Sequence, residues 1–135
     1  MIFNRYYKNL KPLKCKSDLR SVSQYHTYDY YDTFVQTNQA FQKQNCNGHG
    51  WYQSKFMGGC GDTCGCTQFL LEKVFGSQLF NTGEITAWHS NSMTSSRAVK
   101  QWEESKGGHR EAMLNRSHDY IGCYMYQNYG SCLFA

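Results

Sequence analysis

One histidine of this chain stands directly behind a pair of glycines, where its side chain can be aimed at a specific place. The stretch runs Trp102-Glu103-Glu104-Ser105-Lys106-Gly107-Gly108-His109-Arg110, at the junction of two predicted short helices. Because glycine has no Cβ, the backbone can turn sharply there and direct the side chain that follows. An imidazole directed in this way can bind a metal ion or exchange a proton near neutral pH. His109 is therefore the first candidate for a functional residue.

Seven cysteines, an odd number, suggest a second kind of chemistry. Heavy use of cysteine points to an oxidising compartment, and the odd count leaves at least one thiol unpaired within the monomer, bound to a metal or shared with another chain. Three of them form a Cys60-x3-Cys64-x-Cys66 cluster in a glycine-rich loop. Such a cluster can hold zinc as thiolates, or it can form disulfides to distant segments, with Cys15 and Cys46 as candidate partners. We favour disulfides, because the paired C-x-x-C motifs of zinc sites are absent.

Other catalytic patterns fit less well. The chain has no H-E-x-x-H sequence, so the ligand helix of a zincin-type protease is missing. His109-Arg110-Glu111 has the H-x-E spacing of zinc deaminases, but no P-C-x-x-C follows it. Nucleophile-elbow and phosphate-cradling glycine motifs are absent as well.

The pattern of apolar residues predicts one α+β domain over residues 17–135, preceded by a basic arm over residues 1–16. Residues 17–44 contain neither glycine nor proline and are predicted to form one long helix or two abutting ones, with Ser17 as the N-cap. The later elements are shorter: a helix over 67–75, an extended stretch over 85–88, a helix capped by Ser95 and Ser96, a helix over 109–114, and strands over 121–126 and 131–135 around a turn at 128–130.

Composition limits the partners that this domain can have. The net charge of +4 is modest and does not by itself favour nucleic acid. The basic residues crowd the arm, which we interpret as solvated and partly extended, with docking to an acidic partner or an anionic lipid as the alternative. No signal peptide is visible, and no apolar run of about 18 residues indicates a transmembrane helix. The cysteine content nevertheless favours an extracellular location.

Short motifs in the second half of the chain resemble the CAP superfamily, which is named after cysteine-rich secretory proteins, antigen 5 and pathogenesis-related-1 proteins. The motifs are Gly83-Glu84-Ile85, the W-x-x-S-x-G-G-H-R stretch that ends at Arg110, and Ile121-Gly122-Cys123. W-x-x-S followed by G-H-R is the pattern of bacterial-type members. The resemblance implies an α-β-α sandwich, in which a short antiparallel sheet is flanked by helices. Ile85 departs from the family, which has asparagine there.

The resemblance also implies a cleft built from histidines and acids, formed here by His49, Glu84 and His109. Ser105 stands where many animal and plant members have a second acid, so only three residues are carried over. His49 and His109 would bind a divalent metal such as zinc, and the Glu84 carboxylate would complete or orient the set. The alternative is structural, with Glu84 and His109 hydrogen-bonded to each other so that they lock two loops together.

The resemblance further implies a disulfide across the terminal hairpin, with Cys123 and Cys132 as the candidates. The disulfide can form only if the register of the two strands places these cysteines opposite each other. The predicted function is that of a secreted binding module whose ligand is a protein, a lipid or a glycan. A metal-dependent hydrolase with Glu84 as general base is a second hypothesis. The third is a structural component of an extracellular or particle assembly, joined to copies of itself or to other chains through a sheet edge or the odd cysteine.

Overall fold

A sheet between one long helix and two short ones forms the core of the fold. The computed structural model describes residues 9–37, 46, 49–81 and 83–135, with residues 35–37 described by their backbone alone. The elements in these ranges are β1 (Lys14–Cys15), α1 (Ser17–Thr37), a 3-10 turn (Ser54–Phe56), α2 (Cys66–Phe69, continued by a π-helical turn over Leu70–Val74), β2 (Gly83–Trp88), α3 (Ser95–Glu103), α4 (His109–Met113), β3 (Tyr120–Tyr126) and β4 (Tyr129–Phe134). The predicted α+β class and α-β-α sandwich are confirmed.

The sheet has the strand order β1-β3-β4-β2 in the described part of the chain. β2, β4 and β3 pair antiparallel, as predicted, whereas β1 pairs parallel with the start of β3. β1 and the buried Leu13 lie within residues 1–16, which were predicted to be an arm. The sheet therefore begins inside that segment, where the side chain of Leu13 packs into the core next to β1. Residues 1–8 of the predicted arm lie outside the described residues.

Helix α1 covers one face of the sheet because its apolar residues recur at steps of three and four. Leu19, Val22 and Tyr30 are buried. The helix crosses β3 at Gly122, where a Cβ would lie 2.5 Å from the carbonyl carbon of Leu19. Ser23 Oγ donates a hydrogen bond of 2.9 Å to the Gly122 carbonyl and fixes this crossing. The predicted long helix is confirmed over Ser17–Thr37, and its predicted extension to residue 44 lies outside the described residues.

Helices α3 and α4 cover the opposite face. Buried Trp102 of α3 donates from Nε1 to the Thr86 carbonyl of β2 at 2.9 Å. The N-cap of α3 is Thr94, which accepts from the Arg97 N–H, so the predicted caps at Ser95 and Ser96 are wrong, by one and two residues respectively. Helix α4 begins after Gly108, whose φ of +100° is the left-handed conformation that the glycine pair was expected to supply.

Strands β3 and β4 form a tight hairpin in which Tyr126 pairs with Tyr129. The turn therefore consists of Gln127 and Asn128. It begins one residue before the predicted turn at 128–130 and ends two residues before it, because Tyr129 and Gly130 belong to β4. Gln127 takes the left-handed conformation with a φ of +52°. A left-handed first turn residue suits the twist of a two-residue hairpin.

Three disulfides join six of the seven cysteines: Cys46–Cys64, Cys60–Cys66 and Cys123–Cys132. They confirm the preference for disulfides over a zinc site in the Cys60–Cys66 loop, and they confirm the bridge across the hairpin. The predicted staple through Cys15 is wrong, because Cys15 is free and exposed on β1. Among the described residues, no helix is long and apolar enough to cross a membrane.

Candidate functional site

The carboxylate of Glu84 joins two histidines from different parts of the chain. Oε2 accepts from His26 Nδ1 at 2.9 Å, and Oε1 accepts from His49 Nδ1 at 2.7 Å. Glu84 lies on β2 at the edge of the sheet and projects towards α1, which carries His26. Its side chain is only 7% exposed. A buried carboxylate with both oxygens occupied is held in one orientation.

His26 is buried and carries a positive charge. Its Nδ1 faces Glu84 and its Nε2 lies 2.9 Å from the Gly50 carbonyl oxygen, so both ring nitrogens face acceptors. Only the doubly protonated imidazole can donate to both. The ring also stacks on Trp51, with centroids 4.1 Å apart and planes 5° from parallel, a geometry in which the aromatic face stabilises a cation.

The pKa values of this pair agree with that geometry. Burial by itself would lower the pKa of His26, but the nearby Glu84 carboxylate outweighs burial and raises it. For Glu84, burial would raise the pKa, but the charge of His26 and the hydrogen bonds from both histidines lower it to about 2. The two groups therefore form a buried ion pair at neutral pH.

The loop that carries His49 is fastened to α1 by a second carboxylate, Asp29. Its two oxygens accept from the backbone N–H groups of Tyr52 and Gln53, each at 2.8 Å. Burial raises the pKa of Asp29 to about 6 despite these two hydrogen bonds. His26 and Asp29, three residues apart on one helix, thus hold the segment from residue 50 to residue 53.

A cleft of about 210 Å³ opens beside this carboxylate. It is lined by His49, Cys64, Gly65, Thr67, Gln68, Asn81 and Glu84. The Cys46–Cys64 disulfide forms part of its wall, and the Cys46 carbonyl accepts the His49 N–H at 2.9 Å. The side chain of His49 is 36% exposed, so its ring reaches the solvent while Nδ1 is bound to Glu84.

His109 lies within electrostatic reach of His49. Partial burial lowers the pKa of His109, and the charge of His49 lowers it further. Among the described residues, no hydrogen bond or ion pair joins His109 to Glu84, whose oxygens are taken by His26 and His49. The described part of the structure therefore does not contain the hydrogen bond between Glu84 and His109 that the structural alternative predicted. Glu84 is instead hydrogen-bonded to His26 of α1 and to His49 of the following loop.

Sequence reasoning missed His26, although a signal was present. Leu19, Val22, His26 and Tyr30 follow one another at steps of three, four and four, which places His26 on the buried stripe of α1. A histidine on such a stripe needs a buried partner.

The arrangement has chemical consequences for the outer face of the cleft. In the neutral form of His49, Nδ1 donates to Glu84 and Nε2 keeps a lone pair that can accept a proton or bind a metal ion. In the described part of the chain, no group of three or more histidine, cysteine, aspartate or glutamate side chains is arranged to hold a metal ion. A metal at this place would rest on two histidines, with positions open to other ligands.

Solved structures share this fold at low sequence identity. An extracellular protein containing an SCP domain from Bacillus anthracis aligns with a TM-score of 0.65 and 18% identity over 98% of this chain. A cysteine-rich secretory protein from Staphylococcus aureus aligns with a TM-score of 0.62 and 18% identity over 96% of it. This chain spans only 36% and 33% of those two proteins.

An outer surface protein from Borrelia burgdorferi aligns with a TM-score of 0.62 and 21% identity, over 98% of this chain and 84% of its own. No curated protein sequence matches significantly. The family model described as "CAP: Cysteine-rich secretory protein family" matches residues 5–134, nearly the whole chain. The protein therefore belongs to the CAP family of cysteine-rich secretory proteins.

Proposed function

We propose that this protein is an extracellular binding module that binds a divalent metal such as zinc between His49 of the cleft, which Glu84 orients, and His109, which is not among the described lining residues of the cleft but lies within electrostatic reach of His49. One observation carries the proposal: the buried Glu84 carboxylate holds His49 by Nδ1 at 2.7 Å. A carboxylate that accepts from one ring nitrogen fixes the tautomer and makes the other nitrogen a better metal ligand. Glu84 then acts as the residue that orients His49, while the imidazoles are the ligands.

The protonation of His109 supports the same assignment. Metal ligation needs the neutral imidazole. Because burial lowers the pKa of His109 below its ordinary value of 6.5, the neutral form of this histidine predominates at pH 7. His26 is excluded as a ligand, since both of its nitrogens are engaged in the buried ion pair. Two histidine ligands leave open positions, so the metal would exchange and would be accessible to a bound partner.

The extracellular location is supported by the disulfides and by the neighbours. Three disulfides in a chain of this size suit an oxidising environment. The proteins from Bacillus anthracis and Borrelia burgdorferi are described as extracellular and as an outer surface protein. We extend that location to this chain as part of the proposal.

Calorimetric titration with Zn²⁺ tests the metal site. The variants are His49→Ala and His109→Ala, and His89→Ala is the matched control because His89 lies in another loop, where Nδ1 accepts the Asn91 N–H. We expect each of the first two variants to weaken Zn²⁺ binding at least about tenfold, and the control to bind as the wild type does.

Two outcomes would contradict this site. Equal affinity in all four proteins would move any zinc away from the cleft. Zn²⁺ binding that is lost in His49→Ala but unchanged in His109→Ala would remove His109 from the ligand set. In the absence of metal, His109→Ala and His89→Ala should keep the wild-type melting temperature. His49→Ala loses its hydrogen bond to Glu84, so for this variant a single cooperative unfolding transition is the check that the fold is intact.

A metal-dependent hydrolase with Glu84 as general base ranks below the binding module. A general base works best when its pKa lies near the working pH. The two histidines lower the pKa of Glu84 to about 2 and each donate a hydrogen bond to one of its oxygens, so Glu84 is a weak base.

A structural role in an assembly has one observation in its favour, the free and exposed Cys15 on the short strand β1. A disulfide between two copies through Cys15 would produce a dimer that dithiothreitol dissociates. Light scattering of the wild type and of Cys15→Ser tests this candidate, and a monomer for both proteins under oxidising conditions would reject it.

A further inference from the structure

A second cavity lies at the end of helix α4. It has a volume of about 250 Å³, is lined by Leu10, Arg110, Leu114 and Arg116, and shares no described residue with the cleft of Glu84. Arg110 belongs to α4, and Leu114 is the residue at which that helix ends. Leu10 comes from the segment before β1, so the cavity forms where two distant parts of the chain meet.

The polar side of this cavity is positive, and its described lining residues include no acidic side chain. Arg110 and Arg116 are both exposed, and neither forms an ion pair with a described acidic side chain. Asp119, three residues after Arg116, pairs with Lys11 instead. Because both arginines line the same cavity, an anion bound there would offset positive charge that no described acidic side chain neutralises. The planar fork of arginine matches a carboxylate or a phosphate and binds it through two parallel hydrogen bonds.

The other side of the cavity is apolar. Leu10 and Leu114 are half-buried and present aliphatic side chains beside the two arginines. Pockets that bury drug-sized ligands measure about 300–1,000 Å³. A cavity of about 250 Å³ is therefore suited to an anionic group and a short aliphatic part.

We propose that this cavity binds a small organic anion in which a carboxylate or a phosphate is joined to a short aliphatic group. The arginines would bind the anionic group, and the leucines would cover the aliphatic one. The site uses none of the residues of the His–Glu cleft, so its existence does not depend on a metal there.

Titration of the methyl resonances of Leu10 and Leu114 in NMR spectra tests this proposal. The probes are hexanoate and hexyl phosphate, compared with acetate, inorganic phosphate and 1-hexanol. Each buried methylene group contributes about 0.8 kcal/mol to the binding free energy. We therefore expect hexanoate to bind at least about tenfold more tightly than acetate, and hexyl phosphate to bind more tightly than inorganic phosphate by a similar factor. 1-Hexanol lacks the charge and should bind more weakly than both anions. The ranking of hexanoate against hexyl phosphate then tells which anionic group the site takes.

Substitution of the arginines separates specific binding from net charge. Arg110→Gln/Arg116→Gln should weaken hexanoate and hexyl phosphate binding roughly tenfold to a hundredfold, as expected for loss of hydrogen bonds to a charged group. Lys73→Gln/Lys100→Gln removes the same number of charges at exposed positions away from the cavity and should change affinity less than about twofold. Equal losses in both double variants would overturn the proposal. So would 1-hexanol binding as tightly as hexanoate, or probes that leave both leucine methyl resonances unmoved.

Discussion

Replacement of Glu84 by glutamine tests whether the ion pair between α1 and β2 stabilises the fold. The pKa of Glu84 falls from 4.5 to about 2 in the folded protein. At about 1.4 kcal/mol per pKa unit, the ionised carboxylate contributes about 3 kcal/mol to the free energy of unfolding at pH 7. A glutamine at this place keeps the volume but loses the charge, and its amide oxygen can accept from one histidine only. We expect Glu84→Gln to lower the free energy of unfolding by about 3 kcal/mol at pH 7.

The direction of the pKa shift of Glu84 determines how its contribution to the free energy of unfolding changes with pH. Because the pKa of Glu84 is lower in the folded state than in the unfolded state, the contribution is complete above pH 4.5 and is lost as the pH falls through about 2. The difference between wild type and variant should therefore shrink to about 1 kcal/mol at pH 3. In the variant, the pKa of His26 should fall, since the carboxylate that outweighs burial is gone.

Urea denaturation followed by tryptophan fluorescence at pH 7, 5 and 3 measures these differences, and an NMR titration follows His26. Glu104→Gln is the matched control, because Glu104 is an exposed glutamate at the end of α3 and its loss should change stability by less than about 0.5 kcal/mol. A loss of less than about 1 kcal/mol for Glu84→Gln at pH 7, or a loss of the same size at pH 3, would refute a stabilising role for the ion pair.

Two further predictions concern α1 and its contacts. Gly122→Ala would place a Cβ 2.5 Å from the carbonyl carbon of Leu19, and the backbone there cannot move aside. We therefore expect urea denaturation to show a decrease of about 3 kcal/mol in the free energy of unfolding. The control is Gly61→Ala, since a Cβ at Gly61 would have no atom within 4 Å, and an equal decrease in both variants would contradict the close crossing. The second prediction concerns Asp29, whose pKa burial raises from 3.8 to about 6. The folded protein therefore holds this proton more tightly than the unfolded chain does, and the resulting contribution to the free energy of unfolding is complete below pH 3.8 and is lost as the pH rises through 6. The free energy of unfolding should consequently fall by about 2 kcal/mol between about pH 4 and 6.5, and a fall of the same size in Asp29→Asn would show that another group causes it.

The elements that the sequence predicted correctly are those with a clear period or a strong local signal. The steps of three and four in α1, the glycine pair before His109 and the β-rich C-terminal segment each depend on neighbouring residues, so they can be seen without knowledge of the fold. β1 could not be predicted, because two residues carry no period and their pairing with Tyr120 and Ile121 is set by contacts more than a hundred positions away.

The candidate site was predictable in part for a related reason. The family motifs drew attention to Glu84 and His109, and the position after the long helix drew attention to His49. His26 carries no motif of that kind, and only its place on the buried stripe of α1 distinguishes it. A polar residue on an apolar stripe indicates that a buried partner exists, but the partner, 58 positions along the chain, is given only by the fold.

The position of Glu84 determines which substitutions can report on function. Helix α1, strand β2 and the loop of His49 all meet at this one carboxylate, so the inner half of the site, Glu84 and His26, also holds the layers of the domain together. A variant at either residue changes stability and any cleft activity at the same time. The outer half, the Nε2 atom of His49 and the ring of His109, makes no hydrogen bond to the rest of the described chain. Since His49→Ala also removes the Nδ1 hydrogen bond to Glu84, His109→Ala is the cleaner variant. Loss of metal or ligand binding in His109→Ala at unchanged stability is therefore the result that would separate a functional cleft from a structural joint.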